Sequence, residues 1–131
     1  MTRILIVDDD ADLLILVSGY LSAYGFEVER ASDVPQARSC LVRSQFDVVI
    51  SDYNMPGESG LDLLDHVSRR YPGLPFILMS GLSTTGLKNE AMKRGCFGYV
   101  EKPFEFRDLV CAVEAVTGFS DRAASGFGAT G

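Results

Sequence analysis

Three apolar runs in this 131-residue chain each end on side chains that phosphate chemistry would use. Ile4-Leu5-Ile6-Val7 leads into Asp8, Asp9 and Asp10; Val48-Val49-Ile50-Ser51 leads into Asp52; Gly98–Glu101 leads into Lys102 and Pro103. As parallel strands of one sheet, the three runs would bring their ends to a single edge, outside which such sheets bind ligands. Clustered carboxylates repel unless a cation sits among them, so the pattern predicts a bound divalent metal. Asp52 is the candidate nucleophile, because a carboxylate can attack phosphorus and hold the phosphoryl group as an acyl phosphate. Phosphoryl transfer needs in-line positioning and charge neutralisation more than covalent help. Magnesium suits such chemistry, since it takes oxygen ligands, keeps waters and accepts one or two carboxylates. Asp8 and Asp9 offer those carboxylates, Lys102 a point charge, and Ser80, at the end of a fourth apolar run, a hydroxyl donor. An Asp after a strand also serves as a helix cap or turn residue. Asp10 and Asp12 are read that way, favoured by the dipole of the helix they open.

The elements that must position these groups are legible as alternating strands and helices. Arg3–Val7 reads as a strand and residues 10–24 as a helix with Leu13, Leu14, Val17 and Leu21 in its buried stripe and Gly25 as its stop. Residues 27–30 make a weak edge strand. Asp33 caps a helix with Pro35 in its first turn and Ala37, Cys40 and Leu41 facing inward. Residues 47–51 form a fully buried strand. After the loop Met55-Pro56-Gly57-Glu58-Ser59-Gly60, Ser59 caps a helix carrying Leu63, Leu64 and Val67, which Tyr71-Pro72-Gly73 ends. Phe76–Ser80 is the fourth strand. Thr84 or Thr85 starts a helix that stops at Gly95, Gly98–Glu101 is the fifth strand, and residues 105–116 form the last helix with Leu109, Ala112, Val113 and Val116 on one face. Such alternation means a parallel sheet covered by helices on both sides.

Composition sets the bounds. The chain suits one domain, residues 1–117, followed by a Gly/Ala/Ser tail over 118–131 that cannot bury enough apolar surface to order itself. Net charge is −6 with no Lys/Arg cluster, which disfavours direct nucleic-acid binding. No apolar run approaches the ~20 residues of a membrane span, and no signal sequence is visible. Cys40, Cys96 and Cys111 sit in apolar stretches and read as buried free thiols of a reducing, cytoplasmic setting. His66, the only histidine, is read as a surface residue, and with one histidine there is neither a zinc cluster nor a nucleophile–base triad.

From Arg3 to about Val116 the chain resembles the receiver domain of the two-component response-regulator family. The matching motifs are ILIVDDD from Ile4, Asp52-Tyr53-Asn54-Met55-Pro56 followed by Gly60, FILMSG from Phe76, and GCFGYVEKPF from Gly95. Their order and spacing together are specific. The resemblance implies a flavodoxin-like, chemotaxis-regulator-like α/β/α sandwich: a five-stranded parallel sheet in order 2-1-3-4-5 with five helices. It implies that Asp52 accepts phosphate from a sensor histidine kinase or a histidine phosphotransfer protein, with Mg2+ as cofactor and Mn2+ as a substitute. Asp8 and Asp9 match the acidic pair that holds the metal with Asp52, and Asn54 matches the residue that gives its backbone carbonyl. Ser80 matches the switch hydroxyl, Lys102 the motif lysine and Tyr99 the switch aromatic. Pro103 matches the proline whose peptide bond to the lysine is typically cis.

The implied output is a downstream protein bound at the fourth helix, fifth strand and fifth helix, presenting Lys88, Met92, Tyr99 and Phe106. The domain is expected as a monomer or a phosphorylation-linked dimer. It would be a signalling module with limited self-catalysed transfer and hydrolysis rather than an enzyme. Departures are modest: Asp10 stands where Glu is common, Ser80 where Thr is frequent and Gly81 where Ala is usual. Leu82 occupies a position that carries a polar group near the attacking water in some relatives, so slow self-dephosphorylation is expected.

Other motifs fail. Asp8-x-Asp10 resembles the nucleophile loop of haloacid-dehalogenase-type phosphatases, which would make Asp8 the nucleophile. Asp12 stands where Thr or Val is expected, and Asp52 would be left unexplained. A calcium loop from Asp8 has Leu13 in place of the glycine and Gly19 in place of the bidentate acid. A phosphate-binding loop over Gly81 and Gly86 has Leu87 at the lysine position.

Overall fold

The computed structural model describes residues 1–81 and 85–118. Five strands alternate with five helices: β1 (Arg3–Val7), α1 (Ala11–Tyr24), β2 (Glu27–Ala31), α2 (Val34–Arg43), β3 (Val48–Asp52), α3 (Gly60–Arg70), β4 (Phe76–Ser80), α4 (Thr85–Lys93), β5 (Gly98–Glu101) and α5 (Phe106–Thr117). All strand pairs are parallel and the sheet order is β2-β1-β3-β4-β5, the flavodoxin-like order with helices on both faces. The three central strands read as continuous apolar runs because both of their faces are covered; β3 and β4 are buried at every residue. β2, at the sheet edge, carries Glu27, Glu29 and Arg30 and buries fully only Ala31.

Strand alternation divides the core into two layers. Leu5, Val7, Val49, Phe76 and Leu78 meet α2, α3 and α4, where Ala37, Leu41, Leu63, Leu64, Val67 and Ala91 pack. Ile4, Ile6, Val48, Ile50, Ile77, Met79 and Val100 meet α1 and α5 through Leu14, Val17, Leu21, Leu109, Val110 and Val113. Leu13 is only partly buried beside this second layer.

Local chemistry fixes where the helices begin. The Asp10 carboxylate accepts the Leu13 N–H (3.1 Å), and Asp33 accepts that of Gln36 (2.9 Å) ahead of Pro35. Ser59 and Asp62 form a reciprocal capping box on α3. Gly25 closes α1 with φ of 117°, a left-handed conformation that favours glycine. β2 runs one residue further than the periodicity predicts, to Ala31, and β3 is shifted by one, from the expected 47–51 to Val48–Asp52, so that Asp52 belongs to the strand itself. α4 is described from Thr85. Thr84, Leu82 and all of the expected tail except Gly118 lie outside the described residues.

Two expectations about the surface are corrected. Cys40 and Cys96 are buried, but Cys111 is exposed: α5 turns Leu109, Val110 and Val113 inward, which rotates position 111 to the outside. His66 is partly buried against the Tyr71 ring, 6.0 Å away, and its imidazole lies below the usual histidine value. Desolvation is the main cause, reinforced by the nearby Arg38, Arg70 and Arg69 charges.

Candidate functional site

The carboxyl ends of β1, β3 and β5 carry the predicted groups. Asp8 follows Ile4 and Ile6 at the two-residue strand period, Asp52 follows Val48 and Ile50, and Lys102 follows Val100. The pleat therefore aims all three toward the α1/α5 side of the edge. They meet. Ligand oxygens of Asp8, Asp9 and Asp52 lie within 4.8 Å of one another. Lys102 Nζ stands 3.0 Å from Asp8 Oδ2 and 3.0 Å from Asp52 Oδ1, bridging the two. Asp8 is 1% and Asp52 6% exposed, whereas Asp9 opens to solvent.

Backbone hydrogen bonds hold the frame. The Asp8 N–H donates to the Ala31 carbonyl (3.1 Å), and the Asp10 N–H donates to Asp8 Oδ1 (3.0 Å). The Lys102 N–H donates to the Ser80 carbonyl (2.8 Å), so the end of β5 stays in register with β4 as it delivers the ammonium. The Lys102–Pro103 peptide is cis.

Electrostatics follow the crowding. Burial pushes the Asp52 carboxyl above the usual carboxylate range, the Asp8 charge adds to that, and Lys102 opposes it only in part. Burial on its own would pull the Lys102 ammonium down; hydrogen bonds to Asp8 and Asp52 outweigh that and hold it above the ordinary lysine value. The donor set is all oxygen, clustered and charged, and fits a hard divalent cation of the magnesium type. Residues for it would be Asp8, Asp9 and Asp52, with the adjacent Asn54 on an exposed loop.

Gly60, the first residue of α3, is a demand of this edge. A Cβ there would lie 2.3 Å from the Asp52 carbonyl oxygen and 2.9 Å from the Tyr53 Cα, both backbone atoms that cannot swing aside. The Gly60 N–H meanwhile donates to the Tyr53 carbonyl (2.9 Å), locking α3 against the end of β3. Gly60→Ala is therefore expected to destabilise the fold by about 1–3 kcal/mol through overpacking. A urea titration checks this, and a midpoint equal to wild type would show that the helix can back away freely.

Ser80 and Tyr99 fall on the other face. Ser80 shares the period of Phe76 and Leu78, and Tyr99 pairs with Leu78 in register, so both belong to the layer that α4 covers. Ser80 is 1% exposed and Tyr99 half-buried. A groove between α4, β5 and α5 is lined by Lys88, Tyr99, Glu101, Asp108 and Cys111, and Met92 is 46% exposed. Phe106 does not join this surface. Its ring stacks on Tyr20 of α1 at 4.9 Å, because position 106 lies on the side of α5 that packs with α1.

One tie had no sequence signal. Arg38 of α2 forms a bidentate ion pair with Glu58 in the β3–α3 loop, with Arg38 Nη1 2.8 Å from Glu58 Oε2. Nothing in a residue spacing of twenty announces such a contact.

The parallel 2-1-3-4-5 sheet is shared with a known family. The family model of the response regulator receiver domain matches residues 4–114. The response regulator protein FleR of Pseudomonas aeruginosa is 39% identical over 108 residues, covering 82% of this chain and 23% of FleR. The DNA-binding transcriptional regulator NtrC of Azospirillum brasilense is 34% identical over 111 residues, 85% of this chain and 23% of NtrC. Among solved structures, a response regulator receiver domain protein from Clostridium thermocellum superposes with a TM-score of 0.86 at 29% identity, covering 94% of this chain and 99% of that one. The receiver domain of NtrX from Brucella abortus gives 0.83 at 32% identity, covering 88% and 98%. The chain belongs to the response regulator receiver-domain family of two-component signalling. It spans about a quarter of the length of FleR and NtrC. None of the described helices is long and apolar enough to cross a membrane.

Proposed function

We propose that Asp52 accepts a phosphoryl group from a phosphohistidine of a sensor histidine kinase or histidine phosphotransfer protein, and that the modified domain signals to a downstream protein. The observation that carries this reading is the Lys102 ammonium bridging Asp8 and Asp52 beside Asp9. An Asp52 oxygen attacks phosphorus, the P–N bond to the donor imidazole breaks, and its electron pair stays on that nitrogen. Lys102 lies where it can turn from the carboxylate to a phosphoryl oxygen, and burial of Asp52 keeps bulk water from the new anhydride. Asp8, Asp9, Asp52 and the Asn54 carbonyl would hold magnesium, or manganese in its place, which would supply charge neutralisation. The domain promotes its own modification and its slow reversal and turns over no free substrate. The acidic chain favours protein partners over nucleic acid, and its three free thiols accord with the cytoplasm.

Incubation with magnesium and acetyl phosphate, followed by intact-mass measurement and peptide mapping, tests the reading. One phosphoryl group on Asp52 is expected. Sustained turnover through Asp8 would make the domain a phosphatase instead, and no modification would leave a purely structural interaction module.

The output rests on the two faces of the edge. An acyl phosphate on Asp52 brings new charge and acceptor oxygens to the end of β3. Ser80 ends the neighbouring strand and would turn its hydroxyl to donate to them, and Tyr99 shares its layer beneath α4. Ser80→Ala should still accept the phosphoryl group but transmit it weakly to the groove of Lys88, Met92 and Tyr99. Amide exchange over residues 85–106, with and without a beryllofluoride mimic, measures this. Equal mimic-induced changes in both proteins would exclude the hydroxyl as trigger.

A further inference from the structure

The β3–α3 loop is fixed at its ends by backbone hydrogen bonds and between them by one buried side chain. The Tyr53 N–H donates to the Met79 carbonyl (2.8 Å), and the Gly60 N–H returns to Tyr53. Inside the loop, Met55 is buried in the core layer under α2 and α3. Pro56 and Gly57 are exposed, and Gly57 has a φ of 78°, a backbone freedom few other residues share. Asn54 is also exposed, so the direction of its carbonyl depends on how this loop is held.

Glu58 is where the loop regains a grip. Both of its carboxylate oxygens engage the Arg38 guanidinium, a planar fork matched to planar carboxylate, which fixes orientation as well as distance. The side chains are 34% and 40% exposed. The pairing holds the Arg38 guanidinium above its ordinary value through the Glu58 hydrogen bond, and holds the Glu58 carboxyl below its own. An ion pair this open adds little to global stability, so its consequence is local. It ties the loop to α2, a helix that contributes no group to the carboxylate cluster.

We propose that the Arg38–Glu58 pair is a latch that sets the β3–α3 loop, and with it the Asn54 carbonyl, for cation binding at Asp8, Asp9 and Asp52. This rests on the reading of those residues as a magnesium site. Arg38 and Glu58 are positioning residues; neither touches the cation. Supports of this kind raise metal affinity by holding a ligand in place rather than by adding one.

Charge alone predicts the opposite sign for one variant, which makes the latch testable. Removing Arg38 makes the domain more acidic, and an unlatched Coulomb effect would tighten magnesium binding, weakly, across screened distances. The latch predicts weaker binding, by about three- to tenfold. Magnesium is titrated calorimetrically into wild type, Arg38→Ala and Glu58→Gln, with thermal midpoints and amide exchange at residues 54–58 measured alongside. Weaker affinity and faster loop exchange in both variants, at near-wild-type midpoints, is the expected result. Unchanged or tighter binding in Arg38→Ala overturns the latch while leaving the magnesium site standing. Absence of magnesium binding by wild type overturns the site itself, and the latch with it.

Discussion

Asp52→Asn is expected to abolish phosphoryl incorporation from acetyl phosphate and, without magnesium, to raise the thermal midpoint by a few degrees. Loss of incorporation follows from removing the nucleophilic oxygen. The gain in stability follows from the crowding: burial first, and then the Asp8 charge, push this carboxyl above its ordinary range. An acid whose folded value is raised contributes stability below its unfolded value, about 3.9, and that contribution is lost as pH rises through the folded value. At neutral pH the ionised Asp52 is thus a net burden on the metal-free fold. Asparagine removes the charge yet keeps an oxygen for Lys102. The advantage should be largest near neutrality and vanish toward pH ~4. With magnesium present the order should narrow or reverse, because a ligand that binds the native state stabilises the protein that binds it better. Scanning calorimetry of both proteins across pH, with and without magnesium, measures all of this. A markedly lower midpoint for the variant in metal-free buffer would contradict a crowded carboxylate site.

Lys102→Met should produce the largest loss of stability at this edge, about 3 kcal/mol at neutral pH. The ammonium lies 3.0 Å from both Asp8 and Asp52, and those carboxylates are almost wholly buried. Taking it away leaves two like charges in a poorly solvated place. Hydrogen bonds to both carboxylates hold Lys102 above its ordinary value against the pull of burial. Its stabilising contribution is therefore complete at neutral pH and is lost only as pH rises through that elevated value. In the variant, Asp52 rises further still, so its deficit against wild type should shrink as pH falls from 7 to about 4, where protonation relieves the repulsion. Urea titrations at several pH values decide the matter. A deficit that stays constant over that range would assign the loss to packing of the lysine stem rather than to charge.

How much of this is legible in the sequence depends on how locally each feature is specified. β3 and β4 announce themselves because a strand covered on both faces can tolerate no polar break, and Phe76–Ser80 and Gly98–Glu101 have the bounds their sequence implies. β2 is faint because an edge strand answers to water on one side. Asp8, Asp52 and Lys102 are legible because each sits just beyond or at the end of an apolar run, and parallel strands leave their carboxyl ends no choice of edge. Gly60 stands in the sequence as a glycine, but the Asp52 carbonyl that forbids a Cβ there belongs to the packing. Cys111 looks buried from composition, since a thiol counts as apolar; only the rotation of α5, set by Leu109, Val110 and Val113, puts it outside. Phe106 is read from the sequence as part of the α4–β5–α5 surface, and only its contact with the Tyr20 ring of α1 shows otherwise. Arg38 and Glu58 are residue types that usually face water alone, and their meeting requires α2 to lie against a loop that follows the next strand.

The first strand of the chain is an interior strand of the sheet, flanked by β2 on one side and β3 on the other. During folding, β1 must therefore find both neighbours among later residues, and its pairing with β3 is what first brings Asp8 and Asp52 together. Lys102 lies fifty residues downstream of Asp52 and arrives only with β5. On a growing chain, made at about 5–20 residues per second, both buried aspartates are thus synthesised seconds before their counter-charge exists. A β1–β3 pairing formed before then would hold an unneutralised pair of carboxylates and work against their repulsion. The edge strand that comes last in the sequence thus carries the counter-charge for a pairing made by the first, so the β1–β3 pairing gains its full stability only with β5 in place.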